Sequence, residues 1–145
     1  MNEIVFKSPE NKKEFEEYDL FRWEILRKPI GKDITSLKDG FEDQAFHLVG
    51  ILDKKIIACG RLHFKTANEA QIRYMAVRKE YQGGGVGKQV LKLLESNAKK
   101  NNARKIILNA RDHAIGFYEA SGYIAHEKYY GSDTGIPHTS MAKLI

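Results

Sequence analysis

The stretch of this chain best suited to binding a ligand is a glycine-rich turn at residues 82–88, which reads Gln-Gly-Gly-Gly-Val-Gly-Lys. It stands between an apolar run that favours a strand, Ile72 to Val77, and a helical pattern from Val86 to about Lys100. Glycine lets the backbone approach a ligand, and a helix N-terminus presents unpaired N–H groups with partial positive charge. The turn therefore predicts a site for an anion such as phosphate. A turn without a ligand is the alternative, although ordering three consecutive glycines is costly.

Two nucleotide-binding motifs do not fit this turn. A P-loop reads G-x-x-x-x-G-K-S/T. Gly87 and Lys88 match its end, but Gln82 replaces the first glycine and Gln89 replaces the hydroxyl residue that binds magnesium. The dinucleotide fingerprint G-x-G-x-x-G requires glycine where Lys88 or Val90 stands, depending on the register. The phosphate compound is therefore not expected to be held by either motif.

The composition predicts a soluble globular protein with one domain over residues 1–145. No apolar run approaches the ~20 residues of a membrane span, and the first residues lack the features of a signal peptide. The single cysteine, Cys59, lies in an apolar run and is expected to be buried. No Cys/His spacing is typical of a metal site. We therefore expect a cytoplasmic protein with no metal and no membrane partner.

The net charge of +5 is concentrated near the glycine turn, because residues 78–105 contain eight basic and two acidic side chains. Such a patch suits a nucleic acid or a cofactor with several phosphates, whereas a solvated helix face is the alternative. Binding to single-stranded nucleic acid would favour aromatic residues among the lysines. The helix from Val86 to Lys100 contains none, so no nucleic-acid partner is expected.

Hydrophobic periodicity and turn residues predict a mixed α/β (α+β) fold with the order β-α-β-β-β-α-β-α-β-β. A helix is expected to start at Ser8-Pro9-Glu10 and to run to about Arg27, followed by a loop or short helix over residues 31–43. The other predicted helices are Val86–Lys100 and His113–Ala120. The predicted strands are residues 2–7, Gln44–Leu52, Lys55–Phe64, Ala70–Val77, Lys105–Asn109, Tyr123–Tyr130 and Thr139–Leu144.

This order, with a glycine turn after the fourth strand, resembles the GNAT superfamily of acyl-CoA-dependent N-acyltransferases. The turn matches the family's loop, which has Arg or Gln followed by two spaced glycines, at Gln82, Gly85 and Gly87. Residues 107–111, Ile-Leu-Asn-Ala-Arg, and 114–123, Ala-Ile-Gly-Phe-Tyr-Glu-Ala-Ser-Gly-Tyr, look like the family's fifth strand and FYxxxG element. Residues 20–27 and 135–142 are similar to the ElaA-like subgroup. The resemblance implies a largely antiparallel sheet splayed between strands 4 and 5, with helices on both faces.

The resemblance also implies acetyl-CoA as the acyl donor. The pantetheine arm would pair with backbone groups in the fourth strand, and N–H groups of the glycine turn would hold the pyrophosphate. The residues implied in acetyl-CoA binding are Met75, Ala76, Val77, Gln82, Gly83, Gly84, Gly85, Val86, Gly87, Lys88, Asn109 and Phe117.

The reaction implied is direct attack of an amine on the thioester. Backbone N–H groups near residues 75–77 would stabilise the oxyanion, and Tyr118 matches the family's general acid beside the sulfur. The alternative for Tyr118 is an aromatic residue that packs a short helix on the sheet. A non-catalytic CoA-binding sensor is the alternative function.

The acceptor side of the sequence departs from the family pattern. Some members carry a glutamate where this chain has Gln71, which cannot take a proton. Strict alternation would place Gln71, Arg73, Met75 and Val77 on one face of the strand. The base stays open among His47, His63, His113, His138, Glu69 and a water chain.

Four residues are candidates for contact with the acceptor: Arg22, Gln71, Arg73 and His138. Arg22 and Arg73 favour an anionic acceptor, whereas an internal salt bridge is the alternative for Arg22. The amine could belong to a small molecule or to a peptide or protein. Monomer and homodimer both stay open.

Overall fold

The structure, a computed structural model, describes residues 3–130 and 134–145. Asn2, the expected start of the first strand, lies outside the described residues. The element order predicted from the sequence is confirmed. The elements are β1 (Val5–Lys7), α1 (Lys12–Arg22), β2 (Phe46–Leu52), β3 (Lys55–Phe64), β4 (Glu69–Val77), α2 (Val86–Lys100), β5 (Lys105–Ala110), α3 (Ile115–Ala120), β6 (Ile124–Tyr129) and β7 (His138–Leu144).

Helix α1 begins later than the sequence predicted. Asn11, not Ser8, is its N-cap, and the Asn11 side chain accepts a hydrogen bond from the Glu14 N–H at 2.9 Å. Glu14 reaches back to the Glu10 N–H, also at 2.9 Å, and pairs with Lys7. This reciprocal capping satisfies free donors that Ser8 could not reach. The α-helical part ends at Arg22, and a wider π-type turn then runs to Arg27.

The seven strands form one sheet in the order β1-β2-β3-β4-β5-β7-β6. The β4–β5 pair is parallel and the other pairs are antiparallel. Strands β4 and β5 pair only from Glu69–Gln71 to Lys105–Ile107 and then separate. The mixed, largely antiparallel sheet and its splay between the fourth and fifth strands are therefore as predicted.

Helices cover both faces of the sheet. On one face, α2 buries Val90, Leu91 and Leu94 in a core that also contains Tyr118 of α3. On the other face, Tyr18 and Phe21 of α1 pack on β2, β3 and the end of β4. The short loop elements between α1 and β2, at Ile34–Leu37 and Glu42–Gln44, lie on the α1 side, where Glu42 contacts Arg22.

A β-bulge in β4 changes which side chains share a face. Cys59 pairs with Ala76 but Arg61 pairs with Arg73, so Tyr74 and Met75 both lie opposite Gly60. Tyr74 has φ of 59°, a left-handed conformation that is unfavourable for an aromatic residue. The predicted alternation from residue 71 to residue 77 is therefore wrong, because the extra residue reverses the facing halfway along the strand.

The bulge divides β4 into two halves whose odd-numbered side chains face opposite sides of the sheet. Arg73 and Tyr74 both face the α1 side, where three arginine side chains surround the Tyr74 ring. Met75 and Val77 instead pack against the core under α2. Gly60 allows this arrangement because a Cβ there would lie 2.7 Å from Leu94 of α2.

Within the described residues, no helix combines the length and apolar character needed to cross a bilayer.

Candidate functional site

A cleft of about 720 Å³ lies at the opening between β4 and β5. Its lining includes Met75 and Tyr118 from the α2 face of the sheet and Arg73 and Tyr74 from the α1 face. Beyond Gln71, the edge of β4 that faces β5 pairs with no strand in the described part of the chain. The cleft therefore connects the two faces and leaves backbone hydrogen-bonding groups of β4 available to a ligand.

The glycine turn lies at the start of α2, where the sequence placed it. Gly83 and Gly85 have φ of 82° and 87°, a region that favours glycine, and Gly85 caps α2 without a side-chain hydrogen bond. Residues 82–85 and Lys88 are exposed. The first N–H groups of α2 thus have no intrahelical acceptor and no capping side chain. This geometry fits the phosphate site expected from the sequence.

Neighbouring side chains hold the turn in place. The Gln82 amide donates to the Val77 carbonyl at 3.0 Å, which ties the turn to the end of β4. A Cβ at Gly87 would lie 3.4 Å from the Phe117 ring, so glycine lets α3 approach the start of α2. Phe117 itself packs edge to face on Tyr118. Val86 turns its side chain into the core.

Tyr118 places a phenol at the α2 side of the cleft. Its hydroxyl donates to the Met75 sulfur at 3.6 Å, and its side chain is buried between Phe117 and Tyr123. Burial raises the pKa of Tyr118 to about 12, so the phenol keeps its proton at neutral pH. A protonated hydroxyl held by a weak sulfur acceptor can donate that proton to a stronger one.

Asn109 lies across the cleft on β5. Its Oδ1 accepts a hydrogen bond from the Ser140 hydroxyl at 3.2 Å, and both residues line the cleft. The amide nitrogen of Asn109 has no hydrogen bond to another described residue, so it can donate to a ligand.

The side of the cleft where the sequence predicts contact with the acceptor, called the acceptor side, is basic. Among the described residues its lining contains one carboxylate, Asp39, and five basic side chains: Arg27, Lys65, Arg73, Lys105 and Arg111. Gln71 also lines this side, where it pairs with His63 of β3. Arg73 donates to Asp39 at 2.7 Å and its side chain is 37% exposed. The excess of positive charge favours a ligand with an anionic group.

Arg22 lies outside this cleft and is fully buried. It donates to Glu42 at 2.7 and 3.1 Å and to Asp19 at 2.6 Å. The internal salt bridge left open by the sequence is the arrangement found, and it uses the Arg22 guanidinium outside the cleft. Arg22 can place its charge on an apolar face of α1 because Glu42, twenty residues later in the chain, packs against this helix and pairs with it.

Asp39 and Glu42 attach the loop between α1 and β2 to the sheet through Arg61. Arg61 is fully buried and donates to Asp39 at 3.0 and 2.8 Å and to Glu42 at 3.0 Å. Burial alone would raise the pKa of Asp39, but Arg61 and Arg73 hold it at about 2. Asp39 is therefore ionised at neutral pH and keeps Arg73 beside the cleft.

Two of the candidate bases do not have a free ring lone pair. His47 accepts from the Tyr18 hydroxyl at Nδ1 and donates to the Glu42 carbonyl from Nε2, away from the cleft. His63 lines the cleft, but its Nδ1 lies 3.2 Å from the Arg61 guanidinium. Arginine only donates, so Nδ1 of His63 accepts and its proton is on Nε2. Neither imidazole can take a proton from an amine in this state.

His138 has the opposite tautomer. Its Nδ1 lies 2.7 Å from the Ile136 carbonyl, which only accepts, so the proton is on Nδ1 and Nε2 has a lone pair. His138 lines the cleft and is 9% exposed. His113 also lines the cleft but is exposed. Glu69 does not line it and lies 3.9 Å from Lys105. Of the two cleft histidines whose ring hydrogen bonds are defined, His138 keeps a lone pair that is free for an amine in the neutral ring, whereas His63 does not.

Three site residues could not be found from the sequence. Asp39 and Phe41 belong to a polar loop without a recognisable motif, and they reach the cleft only through long-range contacts with Arg61 and His63. Tyr74 reads as a buried position of a strand, and only the bulge turns it towards the cleft. No set of His, Cys, Asp and Glu side chains among the described residues is arranged to hold a metal ion.

Comparison with known proteins points to one family. The family model for the acetyltransferase (GNAT) domain matches residues 14–145. The uncharacterized protein YyaT of Bacillus subtilis (strain 168) is 27% identical over 107 residues, which cover 74% of this chain and 71% of YyaT. Escherichia coli ElaA has a similar structure, with a TM-score of 0.79, 18% identity and 99% of each chain covered. An aminoglycoside 6'-N-acetyltransferase complexed with coenzyme A has a TM-score of 0.80 and 11% identity, with 97% of this chain and 96% of that chain covered.

Proposed function

The chain belongs to the GNAT family of acetyltransferases, and from that premise we propose that it transfers the acetyl group of acetyl-CoA to a primary amine by direct attack. The observation that carries this proposal is the Tyr118 phenol, which is buried, protonated and directed at Met75 in the opening between β4 and β5. A purely structural tyrosine would not need to end in this opening.

The donor side is the region around β4, the glycine turn and α3. The uncapped N–H groups at the start of α2 are suited to the pyrophosphate of coenzyme A, and Lys88 adds positive charge nearby. The unpaired edge of β4 from Met75 to Val77 is suited to the amides of the pantetheine arm. The coenzyme A complex of the aminoglycoside 6'-N-acetyltransferase, which shares the fold, supports the same donor here.

Different residues of the cleft carry out the two proton transfers of the reaction. His138 Nε2 accepts a proton from the attacking amine, because its lone pair is fixed by the bond from Nδ1 to Ile136. Backbone N–H groups of β4 near Met75 stabilise the oxyanion formed at the thioester carbonyl. Tyr118 then donates its proton to the departing thiolate. Asn109 orients the donor or a bound water through its amide nitrogen.

The test is the Tyr118→Phe variant, which removes the proton donor but keeps the ring between Phe117 and Tyr123. We expect kcat to fall about 10²–10⁴-fold, with little change in the KM for acetyl-CoA, because only proton transfer is affected. Thiol release should be followed with acetyl-CoA and a panel of amines, and the acetylated product identified by mass.

The matched control is Tyr123→Phe, which removes a buried hydroxyl bonded to Glu95 outside the cleft. It should lower stability without a comparable loss of kcat. A wild-type protein that binds acetyl-CoA but acetylates no amine would favour the non-catalytic CoA-binding sensor instead.

A further inference from the structure

Two buried polar atoms, each on a residue that lines the cleft, have no hydrogen-bond partner among the described residues. They are Nε2 of His63, on a side chain that is 3% exposed, and the hydroxyl of Tyr74, which is 9% exposed. An unsatisfied buried polar group destabilises the folded protein. Both groups lie on cleft residues, so a ligand in the cleft is a candidate partner for them.

His63 is held as a hydrogen-bond donor. Arg61 donates to Nδ1, so the unpartnered Nε2 carries the proton. Phe41 stacks on the imidazole with ring centroids 4.1 Å apart. Burial, and next the charge of Arg61, lower the pKa of His63 to about 4. The ring therefore stays neutral at pH 7 and presents a single N–H.

Tyr74 is a second donor. The guanidinium carbons of Arg22, Arg61 and Arg73 lie 5.5, 5.1 and 4.6 Å from the centre of its ring. Burial raises the pKa of Tyr74, so the hydroxyl keeps its proton. The bulge in β4 puts this side chain on the same face as Arg73, whereas regular alternation would have put it on the opposite face.

Arg73 brings positive charge to the same place. One of its terminal nitrogens is bonded to Asp39, and the others have no partner among the described residues. Asp39 accepts from both Arg61 and Arg73 and donates nothing. These three residues therefore offer a ligand an imidazole N–H, a phenol O–H and guanidinium N–H groups, each of which can donate a hydrogen bond.

We propose that His63, Tyr74 and Arg73 form a subsite for an anionic group of the acceptor, so that the substrate is an amine that also carries a carboxylate or a phosphate. This inference rests on the proposed acetyl transfer and adds the class of acceptor. A carboxylate or phosphate presents charged acceptors, whereas a carboxamide of the same shape is neutral and replaces one acceptor with a donor, and the donors here need acceptors.

The first experiment compares amines in matched pairs that differ only in the anionic group. The carboxylate arm uses β-alanine and 4-aminobutyrate against their carboxamides, and the phosphate arm uses phosphoethanolamine against ethanolamine. Acetylation with acetyl-CoA and binding by calorimetry are both measured. We expect the anionic member of at least one arm to have a kcat/KM and an affinity at least tenfold higher, and the arm that responds identifies the anion. Values no better than those of the neutral member throughout the panel would overturn the proposal.

The second experiment uses Tyr74→Phe, which removes one hydroxyl and keeps the ring among the guanidinium groups. Since a hydrogen bond to a charged group is worth about 1.5–3 kcal/mol, the KM of the anionic acceptor should rise about 10–100-fold. The KM for acetyl-CoA should not change, and Tyr123→Phe should have no effect on either constant. An unchanged acceptor KM in Tyr74→Phe would contradict the subsite.

The donor role of His63 is tested with two substitutions. His63→Leu should weaken the anionic acceptor, and His63→Gln, whose side-chain amide can still donate, should restore part of the affinity. Calorimetry separates this proposal from the proposed function, because it needs no turnover. A protein that binds the anionic amines selectively but never acetylates them would retain the subsite and reject the transferase. A transferase that does not distinguish the pairs would do the reverse.

Discussion

The two histidines in the cleft whose ring contacts are fixed have opposite roles because of one hydrogen bond each. In His63, Nδ1 faces an arginine that can only donate, so the free nitrogen is a donor. In His138, Nδ1 faces a carbonyl that can only accept, so in the neutral ring the free nitrogen has a lone pair and is the proposed base. The identity of the amino acid therefore does not decide its chemistry here; the partner of the other ring nitrogen does.

His138→Gln tests the proposed base. Glutamine keeps hydrogen-bonding capacity but cannot take a proton, so kcat should fall about 10²-fold or more while the KM for acetyl-CoA is unchanged. The measurement is the steady-state rate with the preferred amine over a range of pH. Raising the pH should rescue part of the lost rate, because more of the amine is then unprotonated in solution.

His113→Gln is the matched control for that experiment. His113 lines the same cleft but is exposed, and its ring has no hydrogen-bond partner among the described residues. Its replacement should leave kcat within about twofold of the wild-type value, because the substitution does not affect proton transfer at His138. A large loss in His113→Gln with little loss in His138→Gln would assign the base to His113.

Two irregular backbone segments create the site at the level of elements. The glycine turn opens α2 with left-handed residues that leave its N-terminus uncapped. The bulge at Tyr74 separates β4 into a half that faces the acceptor side and a half that packs under α2.

Gly85→Ala tests the glycine turn. Gly85 has φ of 87°, and a residue with a Cβ pays about 1–3 kcal/mol in that region, so the turn should shift its N–H groups away from the phosphate. We expect the KM for acetyl-CoA to rise about tenfold or more, with a smaller effect on the acceptor. Initial rates at varied acetyl-CoA measure it.

Gly84→Ala is the control within the same turn. Gly84 has no positive φ, and the nearest atom to an added Cβ is the Tyr81 carbonyl oxygen at 3.9 Å. The variant should bind acetyl-CoA almost as well as the wild type. Equal effects of the two substitutions would show that bulk in the turn, and not backbone conformation, controls binding.

On the scale of the whole molecule, a buried network of charges connects α1, the loop after it and the sheet. Arg22 and Arg61 are both fully buried and share Glu42, while Arg61 and Arg73 share Asp39. Removing one member would leave the others buried and uncompensated, which costs several kcal/mol. The network thus makes the acceptor side of the cleft depend on the folding of the entire α1 face.

Acid should destabilise the protein partly through His63. The pKa of His63 is about 4 in the folded protein, below the ordinary 6.5, so the unfolded chain takes up the proton first as the pH falls. The contribution of His63 to this loss should therefore develop from about pH 6.5 to about pH 4, reach up to about 3 kcal/mol and then level off. Urea unfolding at several pH values measures this dependence.

His63→Gln isolates the contribution of this residue, since glutamine does not titrate. The loss of stability between pH 6.5 and 4 should be smaller in the variant than in the wild type, whereas His113→Gln should keep the full dependence. The remaining slope in His63→Gln is assigned in part to His47, whose pKa is also lowered by burial. Identical slopes in all three proteins would contradict this account.

The sequence by itself determined the elements that form the proposed donor side of this protein. The glycine turn, helix α2 and the Phe117-Tyr118 element could be read from the chain because glycine conformation and helical periodicity are local properties. The predicted bounds of β3 and α2 match the structure. The start of α1 was missed because Asn11, with Glu14, caps the helix in place of the predicted Ser8.

Only the tertiary structure decided the acceptor side. Asp39 meets Arg61 from 22 residues away, and Phe41 covers His63 from a loop with no motif. The single extra residue at Tyr74 reversed the facing of β4, which alternation could not foresee. The burial of the charged Arg22 side chain is explained only by its salt bridge with Glu42. These features depend on which groups meet across the fold, because hydrogen-bond partners fix tautomers and charges that sequence order leaves open.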